Sequence, residues 1–132
     1  MKTMLESRYN KQSLVFFLVG LATVAFDYSS YWSLVNLGVS PILAKGIGFL
    51  VGAAFAYIAN SRFTFDVAVS LERIPRFSLL YLVTLALNIL SNHIVLNIYG
   101  SSVVVMNVAF VVAVSLSATT NFLGMKYWVY KV

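Results

Sequence analysis

Four apolar runs separated by short polar breaks lay out the chain: about Ser13–Leu37, Ile42–Ser61, Phe77–Tyr99 and Val103–Met125. Each is close to the roughly 20 residues a helix needs to cross a hydrocarbon core. The breaks carry turn residues. NLGVSP holds Gly38 and Pro41, and GSS separates the last two runs. The longest connection, Asp66 to Arg76, carries Asp66, Glu72, Arg73, Pro75 and Arg76. With Leu71, Ile74 and Phe77 as an apolar edge, it reads as a segment lying on the headgroups. The opening MKTMLESRYNKQ is polar and basic, as in a signal peptide. The run after it exceeds an h-region of about 7–15 residues, and no small-x-small cleavage site follows. The pattern therefore predicts an uncleaved first helix and an all-α integral membrane protein: four transmembrane helices in a single domain over 1–132.

A finer pattern lies inside these runs. Small residues recur at every fourth position of the second: Ala44, Gly48, Gly52, Ala56. Such positions share one helical face. The stripe ends at Asn60, followed by a basic, aromatic exit of Arg62, Phe63 and Phe65. At an offset of 61 residues the pattern returns: Thr23 with Thr84, Asp27 with Asn88, Asn36 with Asn97, Phe49 with Phe110, Asn60 with Asn121. Ala109, Ala113 and Ser117 repeat the stripe, and Lys126, Tyr127, Trp128 and Tyr130 repeat the exit. After Asn60 the register slips by four, so that Phe63 matches Trp128. Leucines and valines match by chance in apolar segments; the polar coincidences carry the repeat. Two helices bring the chain back to its starting side, so the halves, about 13–65 and 76–130, read as parallel repeats about an axis along the membrane normal. Helices in lipid associate closely through small residues. The stripes read first as packing within the bundle; because four short helices bury little around a polar groove, these close-packing faces also predict a homo-oligomer, most simply a two-fold dimer.

Charge orients the bundle. Lys2, Arg8, Lys11, Arg62, Arg73, Arg76, Lys126 and Lys131 fall on one side of a four-helix topology, and Lys45 towards the other. Cytoplasmic loops collect basic residues, so both termini and the middle loop are expected in the cytoplasm. Only 10% of the 132 residues are charged, against about 25% in soluble domains. The formal charge of +5 lies between the apolar runs, so it reads as topology signal and headgroup contact rather than a nucleic-acid surface. With zero cysteines, disulfides and thiolate metal sites are excluded.

Polar groups within the spans carry whatever chemistry there is. Asp27 falls near the middle of the first helix, where an ionised carboxylate costs several kcal/mol, so it must be neutral, paired or facing water. Asn88, its partner in the repeat, has the shape without the charge. Lys45 can snorkel outward or turn inward to face Asp27 or a phosphate. Asn92 and Asn97 are open to packing hydrogen bonds or to function, and the lone His93 is no metal site. Asp27, Asn60, Arg62 and Asn88 are expected to line one polar groove with Arg62 at its cytoplasmic mouth. An ionised Asp27 would repel an anion there, so it is expected to be protonated or cation-paired in transport. No nucleophile–base pair, phosphate-cradling glycine loop or metal cluster appears, and neither an enzyme nor a cofactor is expected.

The residues then carry a resemblance. FFLVGLATVAFD at Phe16–Asp27, LAKGIGF at Leu43–Phe49, YIANSRFTF at Tyr57–Phe65, RFSLLYLVTLALN at Arg76–Asn88 and NFLGMKYWVY at Asn121–Tyr130 resemble the GtrA-like family of small four-helix bacterial membrane proteins, over about Gln12 to Lys131. The resemblance implies a flippase that moves undecaprenyl-phosphate glucose, or a related polyprenyl-phosphate sugar, to the outer leaflet of the bacterial inner membrane. A membrane glycosyltransferase then places the sugar on O-antigen, teichoic acid or another envelope glycan. Basic exits suit phosphate and asparagines suit sugar hydroxyls. The candidate substrate-binding residues are Asp27, Lys45, Asn60, Arg62, Asn88, Asn92, Asn121 and Lys126. Two other readings compete. One is a scaffold that recruits a glycosyltransferase without transporting. The other is a proton-coupled exporter of small cations, with Tyr28, Tyr31 and Trp32 caging a cation near Asp27.

Overall fold

The computed structural model describes the backbone of residues 1–132 and every side chain except that of Ile42. Four long helices account for most of the chain: α1 (Lys2–Asn36), α2 (Pro41–Ala59), α3 (Ile74–Tyr99) and α4 (Val103–Gly124). A π-helical turn, Asn60–Thr64, continues α2, and a second, Met125–Val129, continues α4. All four helices are long and apolar enough to cross a membrane. The chain divides into two compact units, Met1–Val69 and Ser70–Val132. Each is a helical hairpin closed at one end by a tight turn and at the other by a π turn.

Local chemistry sets the ends of the first hairpin. Val39 N–H donates to the Leu34 carbonyl and Gly38 N–H to that of Val35, both at 3.0 Å. That pairing is a Schellman motif. It demands a left-handed residue, supplied by Gly38 at φ +91°. Pro41 then opens α2, where its missing N–H costs no helical bond. In the second hairpin Gly100, at φ +89°, ends α3, and the Ser102 hydroxyl accepts from Val105 N–H to cap α4.

Two features depart from the sequence pattern. The basic opening segment is helical and continuous with the apolar run, so α1 begins at Lys2 rather than near Ser13. At 35 residues it is about 52 Å long at 1.5 Å per residue, well beyond a core of about 30 Å. Its first turns therefore project past the apolar layer and carry Arg8 and Lys11 with them. The connection after Asp66 is irregular as far as Ser70 and then forms a short 3-10 turn, Leu71–Arg73. Leu71 is exposed, but Phe77 is buried with its ring 4.5 Å from that of Tyr81. The apolar edge of the connection thus parts, and Phe77 turns inward within α3.

The buried positions are mostly small. Ala44, Gly48, Gly52 and Ala56 lie on the face of α2 that meets α1, and Ala109 and Ala113 are buried on α4. The stripes are thus consumed inside the hairpins, and the large apolar side chains Phe17, Leu21, Val24, Leu82 and Val111 point outward. This is what helices in lipid require: close backbone approach inside and hydrocarbon outside. Among the glycines of the first hairpin Gly48 is the tightest point. A Cβ there would stand 2.7 Å from Asp27 Oδ1 and 2.9 Å from the Asp27 carbonyl oxygen, whereas one at Gly46 would meet nothing within 4 Å. Gly48→Ala is therefore expected to force α1 and α2 apart and cost about 1–3 kcal/mol. Gly46→Ala should be silent. Unfolding titrations in detergent check this, and equal stability of the two variants would remove the close-approach argument.

Candidate functional site

The π turn after α2 shapes the main polar site of the first hairpin. Phe65 N–H donates to the Asn60 carbonyl at 3.0 Å and Val67 N–H to that of Ser61 at 2.8 Å. Side chains lock the turn. Thr64 Oγ1 donates to Asn60 Oδ1 at 2.7 Å, and Ser61 Oγ donates to the Tyr57 carbonyl at 2.7 Å. Asn60, Ser61, Thr64 and Phe65 are all buried. Asp66 leaves the turn at φ +52°, a left-handed conformation that aspartate tolerates better than most residues. Such π segments concentrate at functional sites. Here the extra residue in the turn leaves Arg62 and Phe63 exposed while its neighbours stay inside.

Arg62 does not stand alone. It lines a cleft of about 490 Å³ with Arg8, Lys11, Gln12, Val15, Phe63, Thr64, Phe65 and Asp66, within the roughly 300–1,000 Å³ usual for ligand sites. Arg8, Lys11, Gln12 and Val15 lie on one face of α1, spaced three or four apart. Three cations face one carboxylate, and among the described residues none of Arg8, Lys11 and Arg62 forms an ion pair. A site of this kind attracts an anion, with the planar guanidinium of an arginine suited to two phosphate oxygens at once. The sequence pattern brought out Arg62 but passed over Arg8 and Lys11. Their i, i+3 spacing was the available signal, hidden because the polar opening segment did not read as helix.

Asp27 and Lys45 meet inside the first hairpin. Lys45 Nζ donates to Asp27 Oδ2 at 2.8 Å, and the side chains are 62% and 21% exposed. Of the two courses open to Lys45, the inward one is taken. Asp27 Oδ1 is buried without a hydrogen-bond partner, pressed against Gly48. Nearby, Trp32 meets Tyr28 and Tyr31 edge-on, with centroids 6.3 and 5.3 Å away.

The equivalent positions of the second hairpin are neutral. Asn88 Nδ2 donates to Ser117 Oγ at 3.1 Å, and Thr84 Oγ1 donates to Asn121 Oδ1 at 3.0 Å. These two bonds clasp α3 to α4. Asn92 is half-buried on α3; Asn97 Nδ2 lies 2.9 Å from His93 Nε2, one turn away on the same exposed helix face. Lys126 is buried, with Nζ 6.0 Å from the Phe122 ring and 5.7 Å from that of Tyr127, within reach of cation–π attraction. The groove residues are thus divided: Asp27, Asn60 and Arg62 in the first hairpin, Asn88 in the second. Asn60 holds the π turn from within, and Arg62 presents its charge outside.

The two π turns correspond at an offset of 65 residues (60 with 125, 64 with 129). Tyr130 N–H bonds to the Met125 carbonyl and Val132 N–H to that of Lys126, as Phe65 and Val67 do in the first copy. Lys131, at φ +56°, matches Asp66. Tyr127 therefore occupies the place of Arg62, and Lys126 that of the buried Ser61. The exit is duplicated in backbone, but its exposed third place is cationic only in the first hairpin; in the second the cation of the turn, Lys126, is buried.

Among the described residues no group of three or more His, Cys, Asp or Glu side chains could hold a metal. No solved structure matches the chain. The family model described as the GtrA/DPMS transmembrane domain matches residues 15–131, which takes in α1 from Val15 onward, the other three long helices and both π turns, and the chain belongs to that GtrA-like family of membrane proteins.

Proposed function

We propose that this protein translocates a polyprenyl-phosphate-linked sugar, such as undecaprenyl-phosphate glucose, from the cytoplasmic to the outer leaflet of a bacterial inner membrane. Both termini face the cytoplasm in this reading. The observation that carries it is the cleft of Arg8, Lys11 and Arg62, an unneutralised basic site where the first π turn meets the projecting end of α1. A polyprenyl tail can stay in lipid while one phosphate and one sugar cross. The protein then needs an anion site at the entry and a narrow polar path, not a large aqueous cavity. Family membership supports the substrate class. The Lys45–Asp27 pair counts against export of small cations, because the embedded carboxylate already has its cation. A membrane glycosyltransferase and a second copy of the chain are the proposed partners. The small-residue stripes are spent within the hairpins, so such contacts would use the outer faces.

The test is transfer across the bilayer of proteoliposomes containing a polyprenyl-phosphate sugar, with orientation fixed by labelling a Gly100→Cys variant. The expected result is sugar reaching the opposite leaflet, and labelling from the side away from the termini. A protein that moves none of the lipid while binding a glycosyltransferase tightly would be a scaffold instead. Labelling only from the side of the termini would overturn the topology.

A further inference from the structure

We infer that Lys45 is a second phosphate-binding group, set near the opposite face of the membrane from Arg62 and kept from holding its anion too tightly by Asp27. The inference rests on the proposed transport of a polyprenyl-phosphate-linked sugar and adds the station at which the anion leaves. Its first basis is position. Lys45 is the fifth residue of α2, and Arg62 lies in the turn that continues that helix. The 17 steps from one to the other (62 − 45) span about 25 Å at 1.5 Å per residue, most of a hydrocarbon core of about 30 Å. One hairpin thus carries a cation near each face. The second hairpin has Met106 and Asn88 where the first has Lys45 and Asp27, and Tyr127 where it has Arg62. Both cationic stations fall in the same copy.

The second basis is the geometry of the pair. Asp27 binds Lys45 through Oδ2 alone, and Oδ1 is closed in against Gly48. Among the described residues the carboxylate therefore has Lys45 as its one hydrogen-bond partner, and Oδ1 has no room for another. Lys45 is 62% exposed, and an ammonium has three N–H donors. Two donors remain for a phosphate oxygen while the third stays on Asp27. In that arrangement the ammonium attracts the phosphate and the carboxylate repels it. A lone lysine at a membrane face would retain an anionic headgroup; one tethered to a carboxylate binds it weakly and lets it go. A transporter needs that weak binding at its exit, since a site that holds its cargo too well blocks turnover.

Binding, rather than transport, tests the idea. Farnesyl phosphate, farnesol and inorganic phosphate are titrated against protein in nanodiscs of zwitterionic lipid and followed by phosphorus and carbon NMR. The entry cleft is silenced by Arg8→Ala, Lys11→Ala and Arg62→Ala together. This protein should keep a weak site for farnesyl phosphate. Adding Asp27→Asn should tighten it about tenfold, and adding Lys45→Gln to that variant should abolish it. Thermal unfolding is recorded alongside, and the Asp27→Asn, Lys45→Gln pair leaves no lone charge in the span. Three results would each overturn the assignment: equal binding with and without Lys45, farnesol binding as well as its phosphate, or inorganic phosphate binding as well as the lipid. Wild-type protein binding farnesyl phosphate no better than the cleft-silenced protein would instead remove the proposed entry site and leave the Lys45 result to be read by itself.

Discussion

Arg62→Ala is expected to slow transfer of the lipid-linked sugar by about 10- to 100-fold while leaving the protein folded. A hydrogen bond to a charged group contributes about 1.5–3 kcal/mol, and each 1.4 kcal/mol is a factor of ten. Arg62 is exposed and forms no ion pair among the described residues, so its removal leaves no stranded charge. The π turn is held by Asn60, Ser61 and Thr64, none of which the substitution touches. Adding Lys11→Ala, which removes a second wall of the same cleft, should bring transfer to background. Arg62→Lys should restore part of the rate, because a lysine keeps the charge but loses the planar fork. The effect should also shrink as salt rises, since exposed charges are screened within about 8–10 Å at physiological ionic strength. Initial rates in proteoliposomes read all of this. Equal rates for wild type and Arg62→Ala would show that the cleft does not capture the phosphate.

Much of the architecture was legible in the residues because membrane helices obey two blunt constraints: span length and close approach. Apolar runs located the four helices, and the stripe through Gly48 and Gly52 marked the face of α2 that meets α1. Asp27 stood out because a carboxylate in an apolar run needs a reason, and the structure supplies Lys45. The choice between an outward and an inward Lys45 was not legible, since it turns on a side-chain direction that spacing along one helix does not fix.

The cleft was only half legible for a different reason. Hydropathy reports where a helix lies in lipid, not where it begins. The polar first turns of α1 look like a tail, yet they are helical and carry Arg8 and Lys11 to the mouth of the site. The π turns were hidden too. Asn60–Thr64 and Met125–Val129 share little beyond an aromatic residue at the fourth place, because a π turn is defined by backbone bonds rather than side chains. Matching residue types paired Asn60 with Asn121, but the two do unlike work. Asn60 accepts from Thr64 within its turn; Asn121 accepts from Thr84 across the hairpin. The buried Lys126, set among aromatic rings, likewise resembles Arg62 only in charge.

The second large effect concerns stability and is expected to be lopsided. Lys45→Met should destabilise the protein by about 2.5–3.5 kcal/mol, the scale of a charged group at the middle of a membrane helix. It strips the cation from Asp27, whose Oδ1 is already unpartnered, and leaves a lone carboxylate between α1 and α2. Asp27→Asn should cost less than about 1 kcal/mol, because the freed lysine is largely exposed and can extend its ammonium to the headgroups. Replacing both together should return stability close to wild type, as when an embedded ion pair is exchanged for neutral groups of similar size. The double-mutant cycle should therefore give a coupling of about 3 kcal/mol in magnitude, carried almost entirely by the lysine single variant. Denaturant titrations in bicelles supply the four corners. If the two single variants cost the same and their effects simply add, Asp27 and Lys45 do not act as a pair, and the exit station built on that pair goes with it.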